Sequence, residues 1–308
     1  MLNDSERTGT MDFGGKVVVI TGAGSGIGKA CVREFAHGNA AVAMVDSKAS
    51  AADRTIWELR ERGASIEYFQ ADVSSRAEVE RLIPEVISRL GGIDVLVNNA
   101  GIQRYGSATT VTEEEWDEVL NVNLKSAFLM SKYVIPEMIK RGGGAIVMTG
   151  SVQSLTAQRN SVHYVVSKHG ILGLTRSIAL DYGNQNIRAN CVLPGAIDTP
   201  MLRWAASLDS HPEKVLAECD RLHIRGKMGR PEEVARVIVF LASDLASFVT
   251  GAAFAVDGGL LVPTGGMASQ EAGPGTSRAG AIEPAAPCGT AHFEFSIPAI
   301  DLPQDGDL

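Results

Sequence analysis

Cysteine is scarce: four residues in 308 (Cys31, Cys191, Cys219, Cys288), with no Cys-x-x-Cys pair and no histidine at ligand spacing. That scarcity excludes a disulfide framework and leaves no metal site to expect. It predicts reduced, mostly buried thiols in a cytoplasmic protein. No apolar run approaches the length that spans a bilayer, so no membrane partner is expected. The first fifteen residues are polar and lack the apolar stretch of a secretory leader. Lysine and arginine number 28 against 36 aspartates and glutamates; the net charge of −8, without a compensating basic cluster, argues against a nucleic-acid partner. What remains is ordinary: 45% hydrophobic, 21% charged, and long enough for one large α/β domain or two small ones.

The β-branched run at 16–21 ends in Thr21-Gly22-Ala23-Gly24-Ser25-Gly26-Ile27-Gly28, and Ala30, Val32, Phe35 and Ala36 follow at helical spacing. Strand, glycine turn and helix in that order let a backbone approach a phosphate at a helix N-terminus. The spacing is Gly-x-x-x-Gly-x-Gly rather than Gly-x-Gly-x-x-Gly, and such a turn can also be purely structural. A second apolar run, 40–45, ends at Asp46, placed to accept from an adenosine ribose hydroxyl and to repel a 2′-phosphate. NAD is therefore expected over NADP. A solvated strand-end Asp is the plainer reading, and Lys48 keeps NADP open.

Helices expected at 51–62 and 76–90 alternate with strands at 66–71 and 93–97, which implies right-handed crossovers and a doubly wound parallel sheet. Asp72-Val73 follows one strand; Asn98-Asn99-Ala100-Gly101 follows the next, where ligands bind in such sheets, although it reads equally as a polar turn. A long helical region, 113–140, is interrupted near Asn121-Val122-Asn123. Asn is unfavourable inside a helix, so either a polar task or a plain kink is expected there. Strands are expected at 145–148, 187–193 and 253–256, and a proline-initiated helix at 231–241. The stretch 201–227 is too long for a plain connection and reads as a lid, with His211 and His223 on its surface.

Ser151 lies just past the strand at 145–148, and Tyr164 and Lys168 sit four apart on the helix that follows. On a helix they share a face, and an ammonium beside a phenol favours the phenolate. By itself Tyr-x-x-x-Lys is also a common surface pair.

Taken together, Thr21-Gly22-x-x-x-Gly26-x-Gly28, Asp72, Asn98-Asn99-Ala100-Gly101, Asn123, Ser151, Tyr164-x-x-x-Lys168 and Pro194-Gly195 resemble the short-chain dehydrogenase/reductase family in order and spacing. The resemblance covers about 16–261. It implies a single Rossmann-like α/β domain, a seven-stranded parallel sheet with helices on both faces, and a homotetramer or homodimer. It implies Tyr164 as general acid/base and Lys168 as the group that lowers its pKa and holds the nicotinamide ribose. Ser151 would bond the substrate oxygen, and Asn123 would hold a relay water. The cofactor site it implies comprises Gly22, Ser25, Gly26, Ile27, Gly28, Asp46, Asp72, Val73, Asn99, Ala100, Gly101, Tyr164, Lys168, Pro194, Gly195, Ile197 and Thr199.

The surroundings of these residues are polar: Gln153, Gln158, Arg159, Asn160, His163 and Gln103-Arg104. With Gln153, Gln158, Arg104 and Trp204 as substrate residues, the expected substrate is a secondary alcohol or lactol on a sugar, sugar acid or polyol. An oxoacyl-thioester reductase is the alternative enzyme, and a non-catalytic protein of the same fold the alternative class. Residues 1–15 read as an arm. Residues 262–308 read as a Gly/Pro/Ala-rich extension carrying a possible docking peptide at 292–300.

Overall fold

The computed structural model describes residues 11–48, 59–61 and 63–262. The helix expected at 51–62 lies mostly outside them, and the C-terminal extension with its 292–300 peptide lies outside them beyond Val262. Seven strands, β1 (Val17–Thr21), β2 (Ala41–Asp46), β3 (Ile66–Gln70), β4 (Val95–Asn98), β5 (Gly144–Thr149), β6 (Ile187–Pro194) and β7 (Ala253–Val256), form one sheet in the order β3-β2-β1-β4-β5-β6-β7. Every pairing is parallel. The expected strand ends shift by up to two residues, within the usual fraying of element boundaries.

Both faces of this sheet are covered, which is why its strands read as continuous apolar runs rather than alternating ones. Val18, Ile20, Val42 and Met44 pack beneath helices α1 (Gly26–His37) and α8 (Pro231–Ala242), with Phe35, Ile238 and Leu241 among their neighbours. Val19, Ala43, Val45 and Ile146 face the other way, against α2 (Arg76–Leu90), α4 (Ser126–Lys140) and α5 (Val162–Tyr182). Helix α3 (Glu113–Leu120) begins with a capping box between Thr112 and Glu115. Helices α6 (Pro200–Ala206) and α7 (Pro212–Arg221) occupy the stretch expected as a lid, and each carries proline in its first turn.

Strand order reverses at the β1/β4 junction, the place where sheets of this kind form a ligand crevice at the carboxyl ends of their strands. The amino ends are secured separately. Asp94 accepts from the Val17 amide at 2.8 Å and from the Arg141 guanidinium at 3.0 Å through each of two nitrogens.

The interruption expected near Asn121 is a π turn, Asn121–Lys125, inserted between α3 and α4. One extra residue per turn of this kind is a recurrent feature of functional helices. It brings Leu124 so close to α5 that a side chain on Gly170 would meet Leu124 Cδ2 at 2.6 Å. Glycine inside a helix costs about 1 kcal/mol relative to alanine. Here it permits the close crossing that sets Asn123 against Ser167.

Candidate active site

The glycine turn sits at the crevice. Gly22 has φ +61°, and a Cβ there would lie 2.8 Å from Ala100 Cα. A Cβ on Gly28 would fall 2.2 Å from the Gly22 carbonyl oxygen. Only glycine fits this cradle. Ser25 stands at the N-cap of α1 without a side-chain cap, and the first turn carries no acidic residue, so Gly26 and Ile27 begin the helix with its dipole end unneutralised. That is the electrostatics a pyrophosphate requires.

Asp46 ends β2 beside this turn, accepting from the Gly24 amide at 2.9 Å and the Lys48 amide at 3.1 Å. Its carboxylate is thus held at the edge of the cradle. Asn99 donates from its side chain to the carbonyls of Thr21 and Gly22, at 3.1 and 3.2 Å. The Thr21 hydroxyl in turn accepts from the amides of Asn99 and Ala100. Asn99 therefore braces the glycine turn against β4. Asp72 forms a turn at the start of α2, accepting from the Ser74 amide and hydroxyl, with Val73 buried next to it.

Tyr164 and Lys168 stand one turn apart on α5, with the Lys168 nitrogen 5.4 Å from the Tyr164 ring centroid. Lys168 is 4% exposed and donates to the Thr149 carbonyl at the end of β5, at 2.9 Å. Burial brings its pKa down to about 8. Tyr164 is pushed up to about 12, chiefly by burial; the Ser151 hydroxyl pulls it back and Tyr105 pushes it further. The family resemblance implied a phenol lowered by Lys168. Here loss of solvation is the main cause, and it acts in the opposite direction. Ser151 itself caps a short turn, accepting from the Gln153 amide at 3.1 Å.

Asn123 is 2% exposed and lies behind this pair. Its side chain accepts from the Ile102 amide at 2.7 Å and donates to the Ile102 carbonyl and the Ser167 hydroxyl, at 2.9 and 3.1 Å. Gly101 lies between: a Cβ on it would sit 3.3 Å from Asn123 Oδ1 and 3.7 Å from Lys168 Nζ.

The far wall comes from Pro194–Thr199 and α6. Thr199 caps α6 through Leu202 and reaches the glycine turn, its methyl 3.1 Å from where a Gly26 Cβ would be. Ile197 bridges to Gly229, and Gly195 packs against Asp257. Trp204 stacks on Tyr105 at 6.4 Å between centroids, and the Arg104 guanidinium lies 6.0 Å from the Trp204 ring. Arg104 is paired with Glu118 at 2.9 Å, so its charge is compensated. Gln153 donates to Gln158.

Two residues stand differently from the sequence reading. Tyr105 was not singled out, yet it reaches the neighbourhood of Tyr164; its place directly after Gln103-Arg104 was the available signal. His223 was expected on a lid surface and is instead 3% exposed, held from both ring nitrogens. His211 is exposed, as expected. Among the described residues no cluster could hold a metal, and no helix is long and apolar enough to cross a membrane.

The glycine turn after β1, and the half-buried phenol with its buried ammonium partner after β5, thus stand at the carboxyl ends of one parallel sheet. A family model described as Enoyl-(Acyl carrier protein) reductase matches residues 22–261. The chain is 40% identical over 252 residues to 3-oxoacyl-(acyl-carrier-protein) reductase of Thermotoga maritima, covering 82% of this chain and 100% of that one. It is 37% identical to cyclohexanol dehydrogenase of an Acinetobacter species, covering 82% and 98%. The solved aldohexose dehydrogenase of Thermoplasma acidophilum matches with a TM-score of 0.73 and 38% identity, covering 83% and 96%. The chain belongs to the short-chain dehydrogenase/reductase family and is an NAD(P)-dependent oxidoreductase that interconverts alcohols and carbonyls.

Proposed function

We propose that the enzyme oxidises a secondary alcohol or lactol on a sugar, sugar acid or polyol, using NAD in preference to NADP. The observation that supports the substrate class is the polar surround of Ser151: Gln153, whose amide donates to the Ser151 hydroxyl and whose side chain donates to Gln158. Hydroxyl groups of a polyol find hydrogen-bond partners in such a surround, whereas an acyl chain desolvates it without compensation.

The nicotinamide, when bound, supplies the hydride acceptor. Tyr164 takes the proton from the reacting hydroxyl, and Ser151 hydrogen-bonds the same oxygen as its charge develops. Lys168, with its nitrogen 5.4 Å from the Tyr164 ring centroid, is placed to favour the phenolate form as the proton moves. Asn123 completes the relay behind Lys168 by holding the Ile102 and Ser167 positions rather than through a free amide. Gly22, Gly26 and Gly28 admit the pyrophosphate, Asp46 accepts from the adenosine ribose, and Thr199 stands at the carboxamide end. Helices α6 and α7 act as a lid, with Trp204 and Tyr105 as an aromatic wall beside the substrate.

The second reading, reduction of a 3-oxoacyl thioester, is favoured by the identity to the Thermotoga maritima enzyme. Purified protein assayed with NAD and NADP against sugars, sugar acids, cyclic polyols and a 3-oxoacyl thioester separates the two. NAD-dependent turnover of a polyhydroxylated substrate is expected. Turnover of the thioester alone, with NADPH, would replace the first reading by the second.

A further inference from the structure

His223 follows the end of α7 and lies beneath the loop that connects β6 to α6. Its Nε2 accepts from the Ala196 amide at 3.1 Å, and its Nδ1 faces the Cys219 carbonyl at 2.7 Å. A carbonyl only accepts, so Nδ1 carries the proton and Nε2 is the bare acceptor. Both partners together select one neutral tautomer.

The loops around the ring are built for it. A Cβ on Gly195 would come within 2.7 Å of His223 Nε2, and one on Gly258 within 3.3 Å of the imidazole. The imidazole is therefore wedged between the segments that leave β6 and β7. The same β6 segment is tied again six residues later: the Gly229 amide donates to the Ala196 carbonyl at 3.0 Å, and the Asp198 amide donates to the Gly229 carbonyl at 2.9 Å. Ala196 is thus held at its amide by His223 and at its carbonyl by Gly229. Thr199, which starts the first lid helix and touches the glycine turn, follows immediately.

We propose that His223 is a positioning residue for the nicotinamide end of the cofactor site, transmitting the position of lid helix α7 to the Pro194–Thr199 segment. This rests on the reading above, in which that segment holds the nicotinamide. The role requires a donor and an acceptor about 2 Å apart on one rigid side chain, linking a lid carbonyl to a loop amide. Leucine supplies neither group. Glutamine supplies both, at nearly the same separation.

The test measures NAD dissociation constants by calorimetry on substrate-free protein, alongside KM and kcat. His223→Leu is expected to raise the NAD dissociation constant and KM about ten-fold or more, as loss of preorganisation does, with a smaller change in kcat. His223→Gln is expected to restore most of the affinity. His211→Leu, on the exposed lid surface, serves as the control with unchanged binding. Should His223→Leu not fold, His223→Phe, which fills the space of the ring with neither polar group, carries the same measurement. A folded Leu or Phe variant with wild-type NAD affinity would overturn the proposal, leaving His223 as packing. Wild-type protein that binds neither NAD nor NADP would instead sink the cofactor reading on which the proposal rests.

Discussion

Lys168 donates to the carbonyl of Thr149 while its nitrogen lies 5.4 Å from the ring centroid of Tyr164, so one ammonium joins the end of β5 to the phenol one helical turn away. The strand end therefore fixes where the charge sits relative to the proton-transferring group. The first consequence concerns that group.

Tyr164→Phe removes one hydroxyl and little else. Turnover should fall by about 10²–10⁴-fold, the usual contribution of a general acid or base. NAD should still bind, because the glycine cradle and Asp46 are untouched. Steady-state rates and calorimetric NAD binding check both halves; near-wild-type turnover would remove Tyr164 from the mechanism.

Lys168 gives a pH signature in stability. Burial lowers it from 10.5 to about 8, so between those values the unfolded chain holds more protons than the folded one. The site's contribution to stability then rises with pH across that window, and below it the folded state carries the full cost of a buried ammonium. Lys168→Met abolishes this titration. The stability of the variant relative to wild type should be greatest below pH 8 and should diminish toward pH 10.5, by at most about 3 kcal/mol. Urea unfolding at pH 7.5 and pH 10 measures it, and an unchanged difference between the two proteins would contradict the assignment.

Asp46 has two tasks, so its removal should have two effects. Asp46→Ala eliminates the carboxylate that opposes a 2′-phosphate, and the preference for NAD over NADP should narrow. It also deprives the Gly24 amide of its acceptor, so KM for both cofactors should rise. Kinetics with each cofactor test this. If the wild-type protein already favours NADP, the role given to Asp46 fails.

Gly28→Ala should be among the most damaging single changes outside the proton-handling residues. The added methyl would need to occupy space 2.2 Å from the Gly22 carbonyl oxygen and 2.6 Å from Asn99 Nδ2. The turn must open, separating the cradle from its Asn99 brace. A loss of NAD binding with a lowered melting temperature is expected; full binding by the variant would show that the turn yields without consequence.

The parallel sheet was legible in the sequence because buried strands and intervening helices impose apolar runs and periods that do not depend on distant neighbours. The glycine turn was legible for a related reason: Gly22 and Gly28 are demanded by local backbone conformation and close approach. Tyr164 and Lys168 could be placed on one face because four residues on a helix fix that relation. The π turn at Asn121–Lys125 was visible only as two asparagines in an unfavourable place. Its form follows from packing against Gly170.

What only tertiary structure decided are the tasks of polar groups whose partners lie far along the chain. Asn99 proves to be a brace because Thr21 and Gly22 arrive beside it across 78 and 77 residues. His223 proves to be a buried connector because the ends of β6 and β7 close around it, which no pattern within 201–227 encodes. The Tyr164 pKa depended on the same thing. Helical spacing supplied a nearby cation, but the desolvation that raises the phenol comes from the whole fold, and burial cannot be read from a neighbour four residues away.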